Sequence, residues 1–286
     1  MSRFEVISEH ITIMHAEHES DRPILGYVKG RDKSLLIDAG NSPQHAALFQ
    51  EHLKQQGYRT PDLVVLTHWH WDHTFGLPAW NVPVIAHIGT AEALRPLAGL
   101  AWSDTALETL AEKGIISDQT IGHMNIEYED ITSMRVILPN MMFPERLELD
   151  LGGVTCEVQH VGGDHAADSC FVYVREDKAL FLGDALGPSV YGGPYSYTAE
   201  NFLGLLSRMY FYDTEIYIES HGVPTGKAEF HQDIGRWEQF AEFVDQHGDH
   251  PEAIARDMAA YLNQESLPDE FRRAMDYFIE GLRRRT

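Results

Sequence analysis

The stretch Thr67-His68-Trp69-His70-Trp71-Asp72-His73 constrains this chain more than any other. It follows Leu63-Val64-Val65-Leu66, an apolar run too short for a helix and β-branched at its middle, which reads as a buried strand. A strand alternates its faces, so His68 and His70 point the same way off its end. Once the chain turns, Asp72 and His73 reach a second spot nearby. Imidazole and carboxylate suit zinc, iron or manganese, so one stretch offers ligands to two adjacent ions. The chain has 16 histidines, and two close together would mean little. The full H-x-H-x-D-H spacing carries the reading.

The chain around this stretch alternates strand and helix. Residues 3–7, 10–16, 24–29 and 33–37 read as strands, the last ending in Asp38-Ala39-Gly40. Ser42 is a candidate N-cap with Pro43 at the first helical position, and Gly57 marks the helix stop. Strand 62–66 then delivers the histidine cluster. In layered α/β folds, sites form at such carboxyl ends. After a short strand at 83–87, residues 91–100 and 105–113 look helical, and 114–133 has no clean period. Residues 90–143 as a whole read as an insertion at the rim, with a lid over the site as one role for it.

Strands resume at 145–150, 153–159, 170–175 and 178–182, the last ending in Gly183-Asp184. Here Arg175–Asp184 echoes Gly30–Ala39: a charged turn, a hydrophobic strand, then an aspartate. The echo suggests two similar half-units. A helix at 199–212 and a strand at 215–219 lead to Ser220-His221-Gly222, and helices at 227–247, 251–263 and 268–284 complete the chain. No linker or low-complexity block interrupts it. The expectation is therefore a single domain over 1–286 with an insertion at about 90–143 and a helical C-terminal extension at about 227–286.

A formal net charge of -22 repels phosphate backbones and anionic membranes, so neither nucleic acid nor membrane is an expected partner. The expected partner is a small-molecule substrate, with a homodimer left open. No continuous apolar segment marks a signal peptide or a membrane span, and a cytoplasmic protein is expected. Cys156 and Cys170 read as small buried hydrophobes, a disulfide between them being left open.

Three further candidates end a strand or occupy a glycine-rich turn: His165, Asp184 and His221. The order His68-x-His70-x-Asp72-His73, His165, Asp184, His221 resembles the metallo-β-lactamase fold superfamily, over most of the chain up to about His221. The resemblance implies an α+β, four-layer αββα sandwich with metals at one edge. It implies that His68, His70 and His165 hold a first metal, that Asp72, His73 and His221 hold a second, and that Asp184 bridges both. It also makes Asp38 the aspartate that steadies the ligand loop. The family often has Gly-His-Thr-Pro-Gly-Ser around the third histidine, where this chain has Asp164-His165-Ala166-Ala167-Asp168-Ser169. Asp168 reads as shaping that turn, with orientation of His165 as the other role open to it.

Two divalent cations about 3.5–4 Å apart can share a water and bring its pKa near neutrality. The cofactors expected are therefore two divalent ions, zinc first, iron or manganese otherwise. The expected activity is a metallohydrolase using a metal-bridging hydroxide on a small ester, thioester or lactone, with Asp72 also available to take a proton. Asp184 stands where many β-lactamases of this fold have cysteine, which points to the broader group of thioesterases, lactonases and phosphodiesterases. The alternatives are a mononuclear iron oxygenase resembling sulfur dioxygenases, a phosphodiesterase on a small substrate, and a non-catalytic sensor. Tyr191, Tyr195 and Tyr197 are candidate hydrogen-bond donors to a developing oxyanion. Trp69 or Trp71 is a candidate pocket wall.

Overall fold

A computed structural model describes residues 3–285. Among them, β1 (Phe4–Val6), β2 (Ile11–Met14), β3 (Leu25–Lys29), β4 (Ser34–Ile37), β5 (Leu63–Val65), β6 (Val84–His87) and β7 (Met141–Phe143) form one sheet in chain order. The second sheet contains β8 (Arg146–Asp150), β9 (Thr155–His160), β10 (Cys170–Val174), β11 (Ala179–Gly183), β12 (Ile216–Glu219) and β13 (Thr225–Gly226), ordered β13-β12-β11-β10-β9-β8. The helices are α1 (Pro43–Gln55), α2 (Trp71–Thr74), α3 (Ile88–Leu94), α4 (Asp104–Glu112), α5 (Asp118–Glu127), α6 (Ala199–Met209), α7 (Lys227–His247), α8 (Pro251–Tyr261) and α9 (Asp269–Arg285).

The strands' two-residue period explains the layering. In β10, Cys170, Val172 and Val174 face the other sheet, packing with Ile11, Ile37 and Val65, while Phe171 and Tyr173 face the helices. In β4, Leu35 and Ile37 enter the core between the sheets, and Leu36 packs outward with Phe49 and Leu53 of α1. The far layer packs Phe202, Phe240, Phe271 and Phe278 of α6, α7 and α9 on the second sheet. The result is the α+β, αββα sandwich that the sequence implied. Both cysteines are buried and free, and Cys156 lies across from Val174 on the inter-sheet face, so no disulfide joins them.

Both sheets are mixed. The β4–β5 and β11–β12 pairs are parallel, whereas β3–β4 and β10–β11 are antiparallel. The echo between the two halves is thus repeated in the topology. It reaches the backbone as well: Asp38 and Gly183, both ninth in their ten-residue segments, take left-handed φ of 60° and 57°.

Local rules account for most boundaries. Ser42 caps α1 by accepting from the His45 backbone N–H, with Pro43 at the first helical position. The helix expected at 91–100 instead starts at Ile88, because His87 Nδ1 accepts from the Gly89 N–H, and stops at Leu94, one residue before the Arg95-Pro96 bond disfavours helix. The unreadable segment 114–133 contains α5. Its buried positions are Thr120, Met124 and Glu127, so polar contacts rather than an apolar stripe hold it, and hydropathy showed no period. Strand β7, not expected from sequence, pairs parallel with β6 at the sheet's edge. No helix of the described residues is long and apolar enough to cross a membrane.

Helix α9 docks at Gly281, where a Cβ would lie 1.9 Å from the Tyr197 carbonyl oxygen. Gly281→Ala should push α9 off the second sheet and cost about 1–3 kcal/mol, as over-packing does. The denaturant midpoint should fall with the slope unchanged; an unshifted midpoint would show that α9 adds nothing to the cooperative fold.

Candidate metal centre

All the predicted site residues end strands or follow them at one edge of the sandwich. Parallel neighbours end on the same side. Asp38 therefore follows β4 beside the stretch after β5 that carries His68, and Asp184 follows β11 beside the stretch after β12 that carries His221. The short helix α2 turns Asp72 and His73 back toward the same point. Loop 161–169 brings in His165. The sheets are pinned together here: Cys170 N–H donates to the Thr67 carbonyl at 2.8 Å, and Ile24 N–H to that of Ser220 at 2.7 Å. Gly183 must be glycine for a second reason besides its φ, since a Cβ would lie 2.9 Å from Thr67 Cβ.

Two groups of ligand atoms result, His68/His70/His165 and Asp72/His73/Asp184/His221, the atoms of each lying within 4.8 Å of one another. Asp184 stands between the groups, its Oδ2 at 3.5 Å from His165 Nε2, 3.4 Å from His73 Nε2 and 3.3 Å from His221 Nε2. Asp72 Oδ2 is 2.9 Å from His73 Nε2 and 3.1 Å from His221 Nε2. The sequence-predicted set is therefore brought together in full.

Three of the imidazoles are oriented from behind. Asp38 Oδ2 accepts from His73 Nδ1 at 2.8 Å, and the same carboxylate accepts from the Thr67 N–H (2.8 Å) and hydroxyl (2.9 Å). With its proton given to Asp38, Thr67 Oγ1 accepts from His68 Nδ1 at 3.1 Å. His165 Nδ1 donates to the Pro188 carbonyl at 3.1 Å. His68 and His165 then present Nε2 as a lone pair, His73 would do so once an ion displaced its Nε2 proton, and each of these Nε2 atoms is buried without a hydrogen-bond partner. Orphaned buried acceptors are costly unless something occupies them. Converging imidazoles and carboxylates fit divalent metal ions.

Burial, reinforced by neighbouring imidazoles, pushes His68 and His70 well below the usual histidine range, and burial lowers His165 too. For His73 and His221 burial acts in the same direction but is outweighed by Asp72 and Asp184, which hold both well above it. Burial likewise raises Asp72 and Asp184, yet His73 and His221 hold both carboxyls well below the usual range. The first group is a neutral nest and the second a set of paired opposite charges.

The cavity over the ligands encloses about 170 Å³ and is bordered by Gln119, Thr120 and His123 of α5, by Tyr191 and Tyr195, and by Asp21. The Tyr191 ring lies tilted 4.5 Å from His70 and 5.6 Å from Trp69, its hydroxyl 3.3 Å from Thr120 Oγ1. Tyr195 donates to Gln119 Oε1 at 2.8 Å. Tyr197, a candidate oxyanion donor in the sequence, lies elsewhere: it packs on Phe278 and donates to the Leu186 carbonyl. Trp69 is not among the residues that line the cavity and packs behind Tyr191, and Trp71 packs with Phe75 and Trp102 under the 88–136 segment. Sequence reasoning missed Asp21 and His123. Neither belongs to a motif; the one local hint was an aspartate in the Ser20-Asp21-Arg22-Pro23 turn, where Asp21 adopts φ 59°.

Comparisons with known proteins agree with this geometry. The family model described as the metallo-beta-lactamase superfamily matches residues 26–221, and the chain belongs to that superfamily. The human protein named acyl-coenzyme A thioesterase MBLAC2 is 25% identical over 201 residues, or 66% of this chain and 67% of the relative. A metallo-beta-lactamase from Pontibacter korlensis superposes with a TM-score of 0.58 at 20% identity, covering 82% of this chain and 98% of its own. The sec-alkylsulfatase Pisa1 from Pseudomonas sp. gives a TM-score of 0.68 at 17% identity over 96% of this chain, which spans 47% of that longer protein. At these identities the two structures share the fold.

Asp168 does not touch the His165 ring. It accepts from Thr90 Oγ1 at 2.6 Å and shapes the turn, and burial raises its carboxyl to about 6 from 3.8. A buried acid raised in the folded state stabilises fully below the unfolded value, and that contribution is lost as pH climbs through about 6; a two-unit shift corresponds to ~3 kcal/mol. In metal-stripped protein, the melting temperature of Asp168→Asn relative to the natural chain should therefore rise between pH 4 and 7. A constant difference across that window would mean that Asp168 ionises normally.

Proposed function

We propose that this chain is a dinuclear metal-dependent hydrolase of a small ester, thioester or lactone, with zinc as the first expected ion and iron or manganese as the others. The observation that carries the reading is the convergence of three buried, unpartnered imidazole nitrogens with two ionised carboxylates. In this reading His68, His70 and His165 would hold one ion, Asp72, His73 and His221 the other, and Asp184 would bridge. Two such ions would supply an activated water and polarise the scissile carbonyl.

The chain's own side chains have separate tasks. Asp38 and Thr67 fix His73 and His68, keeping their Nε2 atoms inward. Asp72, held ionised between His73 and His221, serves better as a ligand than as a proton acceptor, which narrows the catalytic role expected of it. Tyr191, with Trp69 packed behind it, borders one side of the cavity. The likeness to a protein named as an acyl-CoA thioesterase supports a carboxylic (thio)ester over a phosphodiester. So does the absence of lysine or arginine among the cavity-lining residues. The full second group of ligands favours two ions over the one-iron oxygenase alternative.

Elemental analysis should find about two metals per chain, and the loaded protein should hydrolyse a chromogenic ester or thioester. His70→Ala should lose metal and activity together. Hydrolysis that survives removal of the metal would sink the mechanism, and one iron with oxygen uptake would select the oxygenase. Asp38→Ala, which touches no substrate, should weaken metal affinity roughly 10–100-fold while leaving the loaded enzyme's KM near that of the natural chain; unchanged metal affinity would remove Asp38 from the account.

A further inference from the structure

Two further cavities open beside the ligands, and apart from the site's own histidines the charged side chains that line them are all carboxylates. The larger, about 560 Å³, runs outward between α4 and the 190–193 loop. It meets the central cavity at Ser117, Val190 and Tyr191 and is faced by Glu108, Glu112 and Asp118. The other, about 390 Å³, leaves past Pro188 and is bordered by Glu219. The lining of all three cavities includes no lysine or arginine. Lys113 is next in sequence to Glu112 but is not among the residues facing the cavity. The nearest cations on adjoining segments are committed: Arg22 pairs with Glu127, and Arg284 with Glu280 and the Pro194 carbonyl.

Asp21 adds a carboxylate at the mouth that belongs to neither ligand group. Its Oδ2 is 3.4 Å from His123 Nδ1 and its Oδ1 3.8 Å from His221 Nδ1. It cannot swing away freely, because Ser20 and Arg22 on either side are both tied to the buried Glu127 of α5.

We infer that the site takes thioesters or esters whose leaving arm is cationic or neutral, an ammonium-bearing arm best, and turns away anionic arms, coenzyme A among them. The inference rests on the hydrolase reading and specifies its substrate. With two divalent ions bound, Asp72 and Asp184 would offset half their charge, and the remaining positive charge would be centred at the ligands. Beyond them, the charged side chains that line the larger cavity are all carboxylates. A phosphate-bearing arm there finds repulsion and no basic partner, whereas an ammonium is drawn in. The acyl-CoA substrate class of the human relative therefore does not carry over.

The test uses the full metal-loaded chain and three butanoyl thioesters with one acyl group: butanoylthiocholine, the neutral S-butanoyl-2-mercaptoethanol, and butanoyl-CoA. At low salt, kcat/KM should fall in that order, with about tenfold or more between the first and last. High salt should narrow the gap. Replacing the outlying acids together, by Glu108→Gln, Glu112→Gln and Asp118→Asn, should shrink the cation-to-anion ratio several-fold, and an unchanged ratio would overturn the inference. Equal rates across charges, or a preference for the coenzyme A ester, would overturn the inference while leaving the hydrolase reading intact. Calorimetric titration of ketone analogues, with CH2 in place of sulfur, separates the two failures. If no thioester is cleaved but the cationic analogue binds tightest, the hydrolase reading fails and the charge selection holds; binding without charge order refutes the selection.

Discussion

The buried carboxylate of Asp38 is the constraint on which the rest of the site depends. A carboxylate shielded from water must be satisfied in full, and here its partners are the backbone and hydroxyl of Thr67 and the ring of His73. Those partners belong to the end of β5 and to α2, so satisfying one charge sets the course of the whole ligand stretch. The relay continues through Thr67 Oγ1 to His68 Nδ1. Thr67 also packs against Gly183, the residue before Asp184, so the second sheet takes its position from the same node.

The site exists where it does because each sheet passes from antiparallel to parallel pairing near its middle. A hairpin is followed by a parallel neighbour in both halves, as β3-β4-β5 and as β10-β11-β12. Two parallel pairs stacked with their carboxyl ends at one edge bring four chain segments to a single point. Antiparallel sheets alone would send alternate strand ends to opposite edges and could not do so. The shared left-handed turn at Asp38 and Gly183 makes the halves alike, but the consequences differ. In the first half the aspartate at the turn steadies a neighbour; in the second the aspartate follows the turn and enters the site.

What sequence disclosed follows from which interactions are local. Strand runs, the Ser42-Pro43 helix start and the H-x-H-x-D-H spacing are written in contiguous residues, and the ligand set could be read because family order supplied its distant members. Helix α5 could not be read, because Glu127 stabilises it through Arg22, Ser20 and Ser42, residues about a hundred positions away. Asp21 was hidden for the same reason: its importance comes from what α5 holds in place. Tyr197 misled because a Gly/Pro/Tyr loop looks like a pocket rim along its length, yet the chain turns inward after Ser196 and packs that half-buried ring on Phe278.

The separation between metal ligands and substrate surfaces explains how structures that match this fold at 17–20% identity can bear such different names. The ligands belong to strand ends whose positions are fixed by two sheets and their cores, where a shift of one residue would turn every core side chain outward. The arms of the cavity belong to α4, α5 and the 187–195 loop, which pack at the rim and can change without disturbing a strand. A fold of this kind supplies an activated centre and leaves recognition to whatever the rim presents. Here the rim presents carboxylates, and the acidity of the whole chain is repeated at close range within its own cavity.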